Sequence, residues 1–464
     1  DGLLLRPSDL FSIYAGAPPD APTIRHEFGE YYCSLPDVSL IPKFTGVIKP
    51  TWLESKQKWI KENGLETLYP EFVRNSQRLQ QIGRKFQIER VRRLSDVTGY
   101  HYWLITDYPG GTGEGDSWEE GWFDYFWHPK GIVPREGKEI NAPVLLLTDA
   151  GVDKRTMWNN ERRKVRFTIS NYGEAAIQNG SLSWTLTGSA GIIAHGTLGG
   201  IDIGLGAVRP AGEIELPPVG GTGAQKLELV AEIVSGDQTF RNRWNFWSFP
   251  HHDLLETSPI EVVSDVRWHG LQRTYPFLQE GTDRVSPGAL LITQKLDSKT
   301  LTFLKNGGRV WLMADESEFH RPGTATFFPA SGGALGSVIL DHPALRGFPH
   351  EGMFDLQFFN LLQGGWSFSL DNWPHELQPI AGSIRTTSSF LSKSKKLSRT
   401  GYVFEARVGK GKLLVSTLRI RENFDESYPE AMFLFDRLLR YSTSEQFDPR
   451  IAVSDEQIEK LVVQ

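Results

Sequence analysis

From about residue 139 to 250 the chain encodes strands and no helix, while the stretches on either side alternate strands with helices. That change of pattern divides the 464 residues into three, which suits domains of about 100–200 residues each. In the middle stretch, 165–170, 182–187, 227–234 and 243–249 are β-rich runs, and Lys164-Val165-Arg166-Phe167-Thr168-Ile169 alternates polar with apolar. Turns are expected at Gly199-Gly200 and Pro217-Pro218-Val219-Gly220. The expectation for 139–252 is an immunoglobulin-like β-sandwich.

The first segment, 1–138, mixes both signals. Thr23-Ile24-Arg25-His26 predicts a short strand ending at Glu27. Thr51 and Glu54 have capping-box spacing for a helix that Gly64 stops, and Pro70 suits the first turn of a longer one. In that second helix Phe72, Leu79, Ile82, Phe86 and Leu94 fall on helical spacing and predict one buried face. A strand over 100–106 follows, then a Gly-rich, acidic loop over 109–121. The order strand, loop, helix, strand, loop is that of a βα-repeat protein. The third segment, 253–464, has apolar strands at Ala289-Leu290-Leu291-Ile292, 309–314 and 411–416. Helices are expected over 297–305, stopped by Gly307-Gly308, and over 429–441. Short apolar strands alternating with helices predict a parallel sheet covered on both faces.

The composition narrows the partners. A net charge of −6 and a pI near 6.1 argue against nucleic acid or an anionic membrane surface. No apolar run approaches the roughly 18 residues that span a bilayer. Cys33 stands alone, which leaves no intrachain disulfide and no cysteine-rich zinc site. The chain opens at Asp1 and runs at once into Leu3, Leu4 and Leu5, so a cut end is expected, with targeting information upstream and a periplasmic or secreted location. Fourteen Trp suit sugar rings, whose C–H faces stack on indoles, and equally suit the cores of β-sandwiches.

Chemistry concentrates at His26-Glu27-Phe28-Gly29-Glu30-Tyr31, where a carboxylate ends a strand. The next strand, Gly99-Tyr100-His101-Tyr102-Trp103-Leu104-Ile105-Thr106-Asp107, brings a Trp and an Asp to the same level. Lys43-Phe44-Thr45-Gly46, Ile88-Glu89-Arg90-Val91-Arg92-Arg93 and Phe126-Trp127-His128-Pro129-Lys130-Gly131 complete a series of motifs. In that order, residues 22–131 resemble the last quarter of the catalytic (β/α)8 barrel in glycoside hydrolase family 2 and its β-galactosidase-like relatives.

The resemblance implies a retaining exo-β-glycosidase with a carbohydrate substrate. Glu27 would be its nucleophile, with Glu30 the alternative, and Trp103 would lie beside the sugar. His26 and Asp107 would touch or orient substrate, His26 equally being a structural histidine, and Trp118 and Trp122 are further candidates for stacking. The relatives carry a Gly-Gln-Gly-Thr-like loop where this chain has Glu114, Asp116, Glu119 and Glu120. Those acids are expected to be solvated, the alternative being sugar hydroxyls or a structural divalent cation. No cofactor is expected.

A retaining enzyme needs a second carboxyl group about 5–5.5 Å from the first. The family places it after an Asn on the fourth strand, and no such Asn-Glu precedes Glu27. The acid/base is therefore expected upstream of Asp1, on a removed segment or a separate chain. The last segment resembles the amidotransferase-like α/β domain fused to some relatives. Having no Cys after Cys33 it lacks that nucleophile, so a role in packing or homo-oligomerisation is expected. The competing reading is a non-catalytic carbohydrate-binding or scaffold protein that kept a barrel remnant.

Overall fold

A computed structural model of the chain describes residues 22–28, 33–94, 97–109, 117–266, 268, 270–281, 285–319, 325, 327–328, 334–387 and 396–459. In the first segment β1 (Ile24–Phe28) and β2 (Gly99–Tyr102) pair in parallel. The crossover between them carries α1 (Thr51–Glu62) and α2 (Tyr69–Val91), as a parallel pair requires. α1 starts at Thr51 with Pro50 as its cap and no side-chain capping bond, so the expected Thr51/Glu54 box does not form. Thr51 sits one position too late for its hydroxyl to reach the first free amides. Gly64 does end this helix, at φ +62°, and Pro70 lies in the first turn of α2. β2 stops at Tyr102 rather than Thr106, because Tyr102 pairs with Phe28, the last residue of β1.

α2 is buried on more than its apolar stripe. Phe72, Leu79 and Ile88 are buried, Ile82 and Phe86 pack against the main core, and Asn75, Gln80, Arg84 and Glu89 are buried too. Each of these polar groups has a partner in a different part of the molecule. Asn75 Nδ2 donates to the carbonyls of Ser337 and Gly352, and Arg78 pairs with Glu351 at 2.7 Å. Glu89 Oε1 accepts from Lys85 Nζ (2.5 Å), Asn242 Nδ2 (2.8 Å) and Trp244 Nε1 (3.1 Å). Just past the helix, Arg92 donates to Ser170 and to the carbonyl of Ala142.

After the short β3 (Tyr108–Pro109), β4 (Ser117–Trp118) and α3 (Pro134–Ile140), the middle segment forms two facing sheets. β5 (Val144–Thr148), β7 (Arg163–Asn171) and β10 (Ala207–Leu216) make an antiparallel three-stranded sheet in the order β10-β7-β5. The other holds β6 (Thr156–Trp158), β8 (Ile177–Gly188), β9 (Gly191–Ile203), β11 (Gln225–Ser235) and β12 (Gln238–Phe249) in the order β6-β12-β11-β8-β9. Alternate residues Val165, Phe167 and Ile169 meet Leu227, Leu229, Ile233 and Trp244 in the core between them. Gly199-Gly200, expected as a turn, lies inside β9. The register there moves from Leu182–Leu198 to Gly180–Ile201, so the pair absorbs one extra residue as a bulge, with Gly200 at φ +71°.

The third segment is one mixed sheet. β13 (Val262–Ser264), β14 (Gln279–Glu280), β15 (Leu290–Thr293), β16 (Arg309–Met313) and β21 (Gly411–Ser416) are parallel, in the order β14-β13-β15-β16-β21. Beyond β21 the sheet turns antiparallel through β20 (Lys396–Val408), β19 (Ala381–Thr387) and β17 (Ala334–Ile339), with the short β18 (Phe368–Ser369) also antiparallel to β20. The wholly parallel sheet expected from the apolar runs is thus only half of it. β15, buried throughout, and β16, buried except at Arg309, sit in the parallel half, beside α4 (Ser298–Lys305) and α5 (Pro429–Thr443). Asp297 caps α4 by accepting from the Thr300 amide, and Gly307 ends it at φ +112°. No described helix is long and apolar enough to cross a membrane.

Candidate active site

The site is built on the carboxyl ends of β1 and β2. Glu27 is the residue before Phe28 and Trp103 the residue after Tyr102, and Phe28 and Tyr102 are partners in the parallel register. The two candidate positions therefore sit at the same end of adjacent strands. The His26 ring is exposed and meets His101 edge-on at 5.7 Å. The Glu27 side chain, Glu30, Glu114, Asp116 and the Trp118 ring lie outside the described residues; the backbone of Trp118 pairs with Tyr108.

Trp103 is fixed from behind. Its indole Nε1 donates to Glu120 Oε2 at 2.9 Å, and Cys33 Sγ donates to Glu120 Oε1 at 3.1 Å. Glu119 Oε1 accepts from the Tyr125 hydroxyl (2.9 Å), which in turn accepts from Trp52 Nε1 (3.2 Å). Glu119 and Glu120 were expected to be solvated, yet they are 5% and 1% exposed. A carboxylate tolerates such burial only with donors on its oxygens, and here indole, thiol and phenol supply them.

Asp107 lies beneath this pair, also buried. Lys130 Nζ donates to both its oxygens (2.6 and 2.8 Å) and to the Glu119 carbonyl (3.0 Å), while the Gly121 amide donates to Oδ1. Arg84 Nη2 adds bonds to the carbonyls of Glu120 and Gly121, both at 2.6 Å. Burial pushes the Asp107 carboxyl up to about 6, against the pull of the Lys130 ammonium. Burial also pushes the Tyr102 phenol up to about 12. Asp107 thus holds the 119–121 turn in place. Trp122 is half-buried, with the Arg84 guanidinium 4.8 Å from its ring and Tyr102 edge-on at 5.4 Å.

Other motif residues converge here. Phe44 packs on Trp52, Tyr125 and Phe126, and Lys43 Nζ lies 3.5 Å from His128 Nε2. Arg84, Tyr125 and Lys130 were not singled out as site residues, and Glu119 and Glu120 only as the alternative to a solvated loop. Lys130 was visible as the basic member of the Phe126–Gly131 motif, but nothing local marks the others. Gly121 has no room for a side chain, since a Cβ would collide with the Asp107 amide nitrogen and the Phe123 carbonyl oxygen. Gly121→Ala is therefore expected to cost about 3 kcal/mol, read as a lower urea midpoint; a shift under about 0.5 kcal/mol would contradict this packing.

Residues 161–250 match a family described as a domain of unknown function (DUF8488), and residues 291–463 match another so described (DUF8487). No curated protein matches the chain. Among solved structures, the Amycolatopsis orientalis exo-chitosanase CsxA is 19% identical over 42% of this chain and 20% of its own, with a TM-score of 0.24. A Parabacteroides merdae β-glucuronidase is 11% identical over 37% of this chain and 24% of its own, at 0.17. A family 123 glycoside hydrolase from Clostridium perfringens is 9% identical over 26% and 30%, at 0.19. These neighbours are glycoside hydrolases, and the chain spans less than a third of each. The likeness is coarse, and the chain's own residues define the site.

Proposed function

We propose that this chain carries the nucleophile side of a retaining exo-β-glycosidase site, with Glu27 as the nucleophile. The observation that carries the reading is the β1–β2 register, which sets Glu27 and Trp103 at one end of neighbouring parallel strands, with Trp103 held by the buried Glu120. The Glu27 carboxylate attacks the anomeric carbon as the glycosidic bond breaks. The leaving oxygen takes a proton from a second carboxyl group, and water then hydrolyses the glycosyl ester with that group acting as base. Trp103 gives the sugar an apolar wall. His26 is exposed at the same strand end, and Asp107 positions the turn that carries Glu120.

The test is covalent trapping. The protein, together with the segment that supplies the second carboxyl group, is incubated with activated 2-deoxy-2-fluoro-β-glycosides of glucose, galactose, mannose and glucuronic acid and with 5-fluoro-β-glucosaminyl fluoride, digested, and mapped by mass. One glycosyl group is expected on the peptide bearing Glu27, and the sugar that labels fastest identifies the substrate class. A label on Glu30 would move the role there. No label from any of the five would sink the reading.

A further inference from the structure

The C-terminal sheet holds a crevice that the glycosidase chemistry does not use. After β13 the chain makes β14 on one side of it and then crosses to make β15 on the other, giving the parallel order β14-β13-β15-β16. Where strand order reverses in this way, the connections leave neighbouring strands in opposite directions, and a cleft opens outside their carboxyl ends. Here the cleft is about 740 Å³. Asp265 enters it from the end of β13, Gln294 and Lys295 from the end of β15, and Asp315 from the end of β16; Asp297 and Phe303 of α4 form a wall. The groups are held in place. Thr293 Oγ1 donates to Asp265 Oδ2 at 2.6 Å, and Asp315 accepts from Ser317 and from Gln294 Nε2.

The lining selects among ligands. An anion is disfavoured, because Asp265, Asp297, Asp315 and Glu318 outnumber Lys295 and Lys299, and Asp297 already caps the first turn of α4. A metal ion is disfavoured, because among the described residues no group of three or more His, Cys, Asp or Glu could hold one. Carboxylates that accept from hydroxyls, an amide and an ammonium that donate, and one aromatic face for C–H contact suit a neutral sugar. We propose that this crevice is a non-catalytic saccharide site, taking one or two neutral sugar units, independent of the Glu27 reading.

The experiment is calorimetric titration of the whole chain with methyl β-glucoside, methyl β-galactoside and cellobiose, and separately with inorganic phosphate and calcium chloride. At least one neutral sugar is expected to bind at millimolar strength or tighter, equally in the parent and in Glu27→Gln. Asp265→Asn, which keeps an oxygen for Thr293, and Phe303→Leu, which keeps apolar volume, are each expected to weaken it about tenfold or more. Far-UV circular dichroism and melting temperature check that both variants fold. The proposal fails if no neutral sugar binds saturably, if only phosphate or calcium binds, or if both crevice variants bind as the parent does. Loss of binding in Glu27→Gln alone would assign the sugar to the β1–β2 site instead.

Discussion

With the segment that supplies the second carboxyl group present, glutamine in place of Glu27 is expected to lower kcat on an aryl β-glycoside by a factor on the order of 10⁴ to 10⁶, the scale on which a covalent nucleophile's removal is felt. The amide is nearly isosteric with the carboxylate, so melting temperature should stay within a degree or two of the parent. The loss should fall on kcat and kcat/KM together, because attack on the anomeric carbon belongs to the transition state. A second variant separates chemistry from accident. In Glu27→Ala, azide can enter from the face that the carboxylate leaves, and the expected product is the α-glycosyl azide from a β-glycoside. If Glu27→Gln keeps more than about a tenth of parental activity while Glu30→Gln loses it, the nucleophile is Glu30.

Lys130→Met is expected to destabilise the fold by about 3–5 kcal/mol, because it strands a buried carboxylate. The Lys130 and Asp107 side chains are only 3% and 4% exposed, so solvent cannot take over the missing charge. The direction with pH follows from the Asp107 carboxyl, which burial already raises to about 6, above its unfolded value near 3.9. A group raised in the folded state stabilises most below the unfolded value, and that contribution is lost as pH climbs through the folded one. Removing Lys130 removes the chief pull downward, so the variant should titrate higher and recover stability on acidification. Urea midpoints at pH 4.5 and 7.5 would read this. A larger deficit at pH 4.5 than at 7.5 would contradict the buried pair. Adding Asp107→Asn should return part of the loss at pH 7.5, since no stranded charge then remains.

Features set by neighbouring residues were legible before any coordinates. The apolar run at Ala289–Ile292, the helix starting near Asp297, the Pro70 first turn and the alternation through Lys164–Ile169 each act within a few positions, and each lies where its local chemistry puts it. What escaped depends on partners far along the chain. Glu119 and Glu120 look like a solvated loop until Cys33, Lys130 and Arg84 arrive around them, and Cys33 lies 87 residues from Glu120. Gly199-Gly200 has the composition of a turn, but β8 continues past it and converts it into a bulge. Thr51 shows how a spacing misleads. The box needs its threonine one position before the helix, and Pro50 occupies that place.

α2 gives the molecule one further property. Its polar groups reach the 119–121 turn through Gln80 and Arg84, the sandwich through Glu89, the C-terminal sheet through Asn75, and the Glu351 bend of the same segment through Arg78. A helix held from three directions cannot fray at one without weakening its grip on the others. Heat or denaturant should therefore take the three regions apart in a single cooperative transition rather than in sequence. The changes of strand and helix pattern that divide this chain on paper are not expected to be the seams along which it melts.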